Sequence, residues 1–382
     1  MKPALMSPVR RWSAIAMLIA AAALPGCAWL GIGGKKLAEL PALKSSDASL
    51  AWSASVGKGA GFMFVPGFVD RLVYATGHDG TIYTLADDGG RVVTRFDAQA
   101  KLTAGVGVID NMVAVASNKG EVVAMDAAGR ALWKSPISGE VLAPPVIALG
   151  TVVIRTADGR IIALNRIDGK RKWIYPRAAP ALTLRTNASV LVNRGVVYAG
   201  YPAGKMVAIE LDSGKPIWEA TLSLPRGSNE LERISDVSGL PFLDDTRICA
   251  AVYQGRTGCL ETLNGNVLWS REISSADGVT IDAKYLYVAD VEGVVHALDK
   301  TNGATVWKQE KLKGRDPGTP VLVKGRIVVG DRVGLVHLLS PTNGELVGRV
   351  ATDGSRVVSL LANGDRAVAQ TEKGGVFAIA VK

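Results

Sequence analysis

The chain has 382 residues, 48% of them hydrophobic, 21% charged and 6% aromatic, so it can bury a large core and is not a disordered polypeptide. The 43 glycines and 17 prolines favour many short strands and turns over long helices. The formal net charge is +9, but Lys2, Arg10 and Arg11 lie in a predicted leader, and the rest of the chain carries +6. Charges of both signs alternate without a basic run, which argues against a nucleic-acid partner.

Residues 1–26 have the three parts of a secretory signal: a basic start, an apolar run from Ala14 to Leu24, and small residues at the end. The apolar run is too short to span a bilayer comfortably. The sequence LPGC ending at Cys27 resembles a bacterial lipobox, in which the cysteine becomes the lipidated first residue. The resemblance also implies an outer-membrane destination, since Ala28 rather than Asp follows the cysteine. An ordinary signal peptide with a chance cysteine is the alternative.

Residues 27–48 are rich in glycine, serine and lysine, a composition typical of a flexible linker. We therefore predict a signal peptide over 1–26, a lipidated tether over 27–48 and a folded domain over 49–382.

A unit of about forty residues recurs through the folded part. Each unit has an apolar strand, a tight turn with glycine, a second apolar strand and another glycine turn. Spacings between successive first-turn glycines are 40, 39, 45, 51, 38, 41 and 40 residues. These glycines, one in each of eight units, are Gly80, Gly120, Gly159, Gly204, Gly255, Gly293, Gly334 and Gly374.

Five units carry tryptophan four residues after the second-turn glycine, at Trp133, Trp173, Trp218, Trp269 and Trp307. A large side chain repeated at one offset indicates packing between neighbouring units. With apolar alternation and no sustained helical period, the repeat predicts an all-β fold, an eight-bladed β-propeller with four-stranded blades. The eighth unit lacks its fourth strand, whereas the domain begins with an unpaired strand containing Trp52. We expect the N-terminal strand to close the last blade and remove the open sheet edge.

Two connections are longer than the others, at Arg177–Ala188 and Ser223–Pro241. Both join an outer strand to the next inner strand, so they should lie on one face at adjacent blade boundaries. Loops held by a rigid scaffold often carry binding sites. The apolar pair Leu182 and Leu184 beside Arg185 favours an interface anchor over a tolerated insertion.

The lipobox, the eight repeats and the segments LTLR and ELERISDV resemble the BamB family of outer-membrane assembly lipoproteins of Gram-negative bacteria. That resemblance covers the whole mature chain. It implies a non-enzymatic scaffold on the periplasmic side of the outer membrane, bound to the periplasmic POTRA domains of BamA and to other Bam subunits. Nascent outer-membrane proteins are a further implied partner.

Transferred onto this sequence, the family's partner-binding residues are Leu182, Leu184, Arg185 and Asp236. We expect the leucines to provide most of the binding energy, Arg185 to pair with a partner carboxylate, and Asp236 to meet a partner's basic group. The family pattern has a second acidic residue where this chain has Ser238.

A quinone-dependent dehydrogenase or another ligand-binding propeller is the alternative, because that enzyme class shares the repeat. Its calcium site, catalytic carboxylate and adjacent cysteine pair are not recognisable here, so we expect no cofactor and no metal. His296 and His337 both follow their turn glycine by three residues, which predicts strand packing rather than metal ligation.

Cys249 and Cys259 flank the turn at Gly255. In one register they face each other across a hairpin, and an oxidising compartment would permit a disulfide. A shift of one residue would instead leave two buried thiols.

Overall fold

A computed structural model describes residues 36–43, 45–176, 182–185 and 187–382. The predicted signal peptide and Cys27 lie outside the described residues, and Leu37–Lys382 form one compact unit. No helix within the described ranges has the length and apolar character needed to cross a membrane.

The first four sheets follow one another along the chain, after strand β1 (Ala48–Ser55). Blade 1 contains β2 (Gly67–Val69), β3 (Leu72–Thr76), β4 (Thr81–Ala86) and β5 (Val92–Asp97). Blade 2 contains β6 (Leu102–Ile109), β7 (Met112–Ser117), β8 (Glu121–Asp126) and β9 (Ala131–Pro136). Blade 3 contains β10 (Val146–Ala148), β11 (Thr151–Arg155), β12 (Ile161–Asn165) and β13 (Arg171–Tyr175). Blade 4 contains β14 (Leu191–Asn193), β15 (Val196–Tyr201), β16 (Lys205–Glu210) and β17 (Pro216–Thr221).

The remaining sheets repeat the same antiparallel order. Blade 5 contains β18 (Phe242–Leu243), β19 (Arg247–Ala251), β20 (Thr257–Glu261) and β21 (Val267–Arg271). Blade 6 contains β22 (Val279–Ile281), β23 (Tyr285–Ala289), β24 (Val295–Asp299) and β25 (Thr305–Gln309). Blade 7 contains β26 (Val321–Val323), β27 (Arg326–Gly330), β28 (Leu335–Leu339) and β29 (Leu346–Ala351). Blade 8 contains β30 (Val357–Asn363), β31 (Arg366–Thr371), β32 (Gly375–Val381) and β1.

The N-terminal strand closes the ring, as the sequence predicts. Strand β1 pairs antiparallel with β32, from Ala48 opposite Val381 to Ser55 opposite Gly375. Blade 8 thereby receives its fourth strand from the other end of the domain. The eight-bladed, all-β propeller with an N-terminal closing strand is confirmed.

Burial explains why the two middle strands of each blade are continuously apolar. All six residues of β7 are buried because sheets cover both of its faces. The outer strand β9 instead alternates, with Trp133 and Ser135 buried and their neighbours exposed. The alternation expected from the sequence is thus found in the outer strand β9, whereas the middle strand β7 is buried along its whole length.

The repeated tryptophans join neighbouring blades, as the sequence indicates. Each indole N–H donates to a backbone oxygen of the next blade, at 2.6 to 2.9 Å, for Trp52, Trp133, Trp173, Trp218, Trp269 and Trp307. Each ring also covers the second-turn glycine of that blade, where an added Cβ would lie 2.4 to 2.7 Å from a ring atom. Glycine at each of these turns is therefore explained by two requirements, a left-handed backbone and space for the indole of the preceding blade.

The folded unit begins earlier than the predicted boundary at Ser49. Leu40 packs against the apolar cluster of blades 6 and 7, and Ala38 N–H donates to the Lys313 oxygen at 3.0 Å. Asp47 also forms an ion pair with Arg326 at 2.9 Å. The described part of the predicted tether, residues 36–43 and 45–48, thus contains a docked segment, because its few apolar and carbonyl groups find partners on blade 7 and the adjoining connection.

The two repeated histidines are buried within their blades. His296 is 5% exposed and its Nε2 lies 2.7 Å from Asp290, while His337 is fully buried with Nε2 3.0 Å from Asp331. Burial lowers the pKa of His337, and the Asp331 carboxylate opposes that shift. Each histidine is held by a carboxylate from its own hairpin.

Candidate functional site

Both long connections lie on the same face of the propeller. They join β13 to β14 and β17 to β18, and strand direction places them on the side that carries the turns between the second and third strands of each blade. We name this side the connection face. The Gly169 turn, between the third and fourth strands of blade 3, lies on the opposite face.

The segment Leu182–Arg185 presents one apolar and one basic side chain to solvent. Leu182 is 43% exposed, Leu184 is half-buried and Arg185 is exposed. The guanidinium of Arg185 forms an ion pair with Glu140 and lies 5.6 Å from the ring centroid of Phe62. Both contacts come from other connections of the same face, so Arg185 is held by its own chain.

Asp236 is buried beneath this segment, with 3% of its surface exposed. Its Oδ2 accepts a hydrogen bond from the Leu184 N–H at 2.7 Å, and the Ala203 N–H also donates to its carboxylate. Burial raises the pKa of Asp236, although these hydrogen bonds and the charge of Arg155 oppose the shift. The side chain of Asp236 is thus directed into its own domain here, and its expected contact with a basic group of a partner stays a prediction.

Arg155 supplies the positive charge that acts on the Asp236 carboxylate. Its guanidinium lies 5.2 Å from the Tyr201 ring centroid and donates to the Ala188 oxygen at 3.4 Å. Arg155, Leu184, Tyr201 and Asp236 line a pocket of about 30 Å³. Such a volume holds one or two water molecules. The pocket therefore lies between the Leu182–Arg185 segment and the blades beneath it.

Ser238 does not take part in this arrangement. Its side chain is buried, and its Oγ donates to the Ala276 oxygen of the next connection at 2.8 Å. The structure thus brings together Leu184 and Asp236 directly, places Leu182 and Arg185 at the surface beside them, and directs Ser238 elsewhere.

Glu140, Phe62 and Arg155 contact the site but are missed by the sequence analysis. Phe62 and Glu140 belong to connections of ordinary length and Arg155 ends strand β11, so neither loop length nor local composition marks them. The packing of the blades around the propeller brings these positions to the same part of one face.

Cys249 and Cys259 lie directly opposite each other between β19 and β20. Their Cα atoms are 4.0 Å apart, and the structure joins the two sulfurs in a disulfide. Both residues are fully buried in blade 5, away from the exposed leucines. Their bond in the natural protein remains a prediction that chemical analysis can test.

Metal-binding geometry is absent from the described part of the chain. No three His, Cys, Asp or Glu side chains within the described ranges lie where they could hold a metal ion together.

Structural comparison supports the propeller architecture. The crystal structure of BamB from Moraxella catarrhalis superposes with a TM-score of 0.81 at 25% identity, covering 87% of this chain and 99% of that chain. Quinohemoprotein alcohol dehydrogenase from Comamonas testosteroni gives a TM-score of 0.71 at 14% identity, covering 88% of this chain and 76% of the enzyme. At that identity the enzyme's likeness concerns the fold alone.

Sequence comparison gives the family. A family model described as "Outer membrane protein assembly factor BamB" matches residues 78–309 and 291–382. Outer membrane protein assembly factor BamB of Burkholderia pseudomallei is 38% identical over 87% of both chains. The Bordetella pertussis protein of the same name is 38% identical over 92% of both chains. This chain belongs to the BamB family of outer membrane protein assembly factors.

Proposed function

We propose that the protein is a non-enzymatic scaffold of the β-barrel assembly machinery, bound to the periplasmic POTRA domains of BamA. In this role it contacts other Bam subunits and assists the folding and insertion of outer-membrane β-barrel proteins. The observation that carries the proposal is the segment Leu182–Arg185, which is fixed from below by Asp236 while Leu182 and Arg185 remain exposed.

Preorganisation makes this segment suitable for binding. The Leu184 N–H is already bonded to Asp236, so the loop need not lose all of its conformational freedom when a partner binds. An exposed leucine beside an arginine can supply apolar contact and a directed charge. These features favour a protein partner for this part of the connection face.

Arg185 can exchange its present partner for one on another protein. Its ion pair with Glu140 joins two exposed side chains, with 59% and 44% of their surfaces accessible. Such surface pairs contribute about 0 to 1 kcal/mol, so exchanging Glu140 for a partner carboxylate costs little. In the free protein the pair holds the guanidinium at the surface of the connection face.

We propose that Cys27 carries a lipid and holds the domain on the periplasmic side of the outer membrane. The lipobox-like sequence before Cys27 supports this anchor, and the family supports the outer membrane as its destination.

Titration of the purified protein against the POTRA fragment of BamA tests the site. Replacing Leu182 and Leu184 together by Ala, or Arg185 by Ala, should each cost about 2 kcal/mol or more in binding. Thermal unfolding should change little, because these side chains lie outside the blade core. Lys170→Ala, on the opposite face, is the control and should change neither quantity.

Undiminished binding by the double leucine variant would contradict the site. Binding lost only together with folding would assign these residues a structural role. Dye reduction by the purified protein with added quinone and calcium would overturn the non-enzymatic part of the proposal.

A further inference from the structure

The second long connection contains a hydrogen-bonded turn that presents a leucine to solvent. Glu232 accepts from the backbone N–H and the hydroxyl of Ser228, at 2.7 and 2.9 Å. Asn229 accepts from the Glu232 N–H at 2.9 Å, and its carbonyl accepts from the Arg233 N–H at 3.1 Å. These reciprocal bonds resemble a helix cap and fix residues 228–233 in one conformation.

Gln254 of blade 5 holds the other end of this turn. With its amide nitrogen toward the turn, the orientation that satisfies both amide atoms, it donates to the oxygens of Ile234, Leu231 and Glu232 at 2.8, 3.1 and 3.1 Å. Its backbone has φ of +49°, a left-handed conformation that disfavours a residue with a side chain. A glutamine at this position is explained by the three carbonyl groups that it reaches.

The ordered turn keeps a large apolar side chain in water. Leu231 is 66% exposed, and Leu224, earlier in the same connection, is 72% exposed. Among the described residues of the connection face, the exposed large apolar side chains all belong to the two long connections: Leu182, Leu224, Leu231 and Leu240. Several large apolar side chains exposed on one face mark a candidate interaction site.

Asp236 makes the two connections one surface. Its carboxylate accepts from the Leu184 N–H at 2.7 Å, and its carbonyl oxygen accepts from the Tyr253 N–H at 2.9 Å. Tyr253 directly precedes Gln254. Asp236, which supports the first connection, is therefore bonded to the sequence neighbour of Gln254, which supports the second. The two connections are therefore joined by hydrogen bonds through Asp236, on the same face of the propeller.

The area of a stable protein interface is also larger than the first connection alone can supply. A stable protein interface takes about 800 Å² from each partner, or about 20 to 30 residues. The four residues Leu182–Arg185 supply only a small part of such an area. The second connection is the adjoining ordered surface with exposed leucines.

We propose that Leu231, together with Leu224, is a second apolar anchor for the same POTRA partner, and that Gln254 is the positioning residue that holds Leu231 in place. This inference rests on the proposed function. Gln254 acts through the turn and does not itself touch the partner.

Binding measurements on the full protein against the POTRA fragment test the second anchor. Replacing Leu224 and Leu231 together by Ala should weaken binding about tenfold or more. Leu263→Ala is the matched control, because Leu263 is 80% exposed in blade 5 but lies in a turn of the opposite face. It should leave the affinity unchanged, and both variants should keep the wild-type melting temperature.

A double-mutant cycle tests the role of Gln254. Gln254→Glu keeps the side-chain size, but a carboxylate cannot donate to three carbonyl oxygens. It should weaken binding in the wild-type background and have no further effect in the Leu231→Ala background, because both changes remove the same contact. Equal effects in the two backgrounds would assign Gln254 a general structural role and overturn its positioning role.

The outcomes separate this inference from the function on which it rests. If the Leu224 and Leu231 variant binds within twofold of wild type while the Leu182 and Leu184 variant loses binding, the second anchor is wrong and the proposed function stands. If wild type itself fails to bind the fragment, the proposed function and this inference both fail.

Discussion

At the scale of single residues, Asp236 shows what the sequence can and cannot predict. The sequence places an acidic residue in the correct connection, beside an apolar segment that reaches the surface. It cannot show that this acidic side chain is buried beside Arg155, the last residue of β11, and Ala203, in the turn between β15 and β16. Leu182 is exposed as expected, whereas the contact of Arg185 with Glu140 depends on how neighbouring blades pack.

A pair of substitutions at Asp236 distinguishes positioning from direct contact. Asn keeps one oxygen that can accept the Leu184 N–H, whereas Ala leaves buried donors without a partner at a cost of about 1 to 3 kcal/mol. If Asp236 acts through the loop, Asp236→Asn should keep most of the affinity for the POTRA fragment, and Asp236→Ala should lose about tenfold or more. Titration of both variants, with melting curves, provides the measurement.

Equal loss of affinity in the two Asp236 variants would favour a direct ion pair with the partner. Ser238→Ala is a suitable control, because Ser238 lies two positions further along and bonds to the Ala276 oxygen instead. It should leave the affinity for the fragment close to wild type.

At the scale of the elements, the repeat predicts the blades well because each blade requires the same few residues. A left-handed glycine turn, an indole beside that turn and two buried strands recur in sequence as they recur in space. The docked N-terminal segment is not predictable in this way. Leu40 is one of several leucines in a short segment without a repeat, and its partners on blades 6 and 7 lie more than two hundred residues away.

The hairpin of β19 and β20 carries the disulfide prediction. A bond between Cys249 and Cys259 closes a loop of about ten residues and should stabilise the fold by at most about 3 kcal/mol. Protein from the periplasm, denatured and alkylated without reductant, should yield a linked peptide pair without alkyl groups. The same sample treated first with reductant should carry one alkyl group on each cysteine.

Alkyl groups on both cysteines in the unreduced sample would exclude the bond. Denaturation before alkylation is essential, because both residues are fully buried and a folded protein would protect free thiols as well. The β19–β20 register itself would remain compatible with either result.

At the scale of the whole molecule, the strand that closes the ring and the predicted membrane anchor at Cys27 belong to neighbouring parts of the chain. Strand β1 completes blade 8, and the segment before it contacts blade 7 through Asp47 and Arg326. The eight sheets are built from residues Ala48 to Val381, so the predicted anchor at Cys27 is not one of the residues that form them.

Cys27→Ala should therefore leave the fold intact and release the protein from the membrane. A lipid chain contributes about 0.8 kcal/mol for each buried CH₂, so several acyl chains hold a soluble domain firmly and their loss frees it. The measurement is fractionation of cells that lack the partner, with a melting curve of the purified variant. Ala28→Asp provides the control, since it keeps the lipidated cysteine and should leave the protein membrane-bound. Variant protein with Ala at position 27 that still sediments with outer membranes in those cells would contradict lipidation, whereas retention in cells that contain the partner is expected from binding through Leu182 and Arg185.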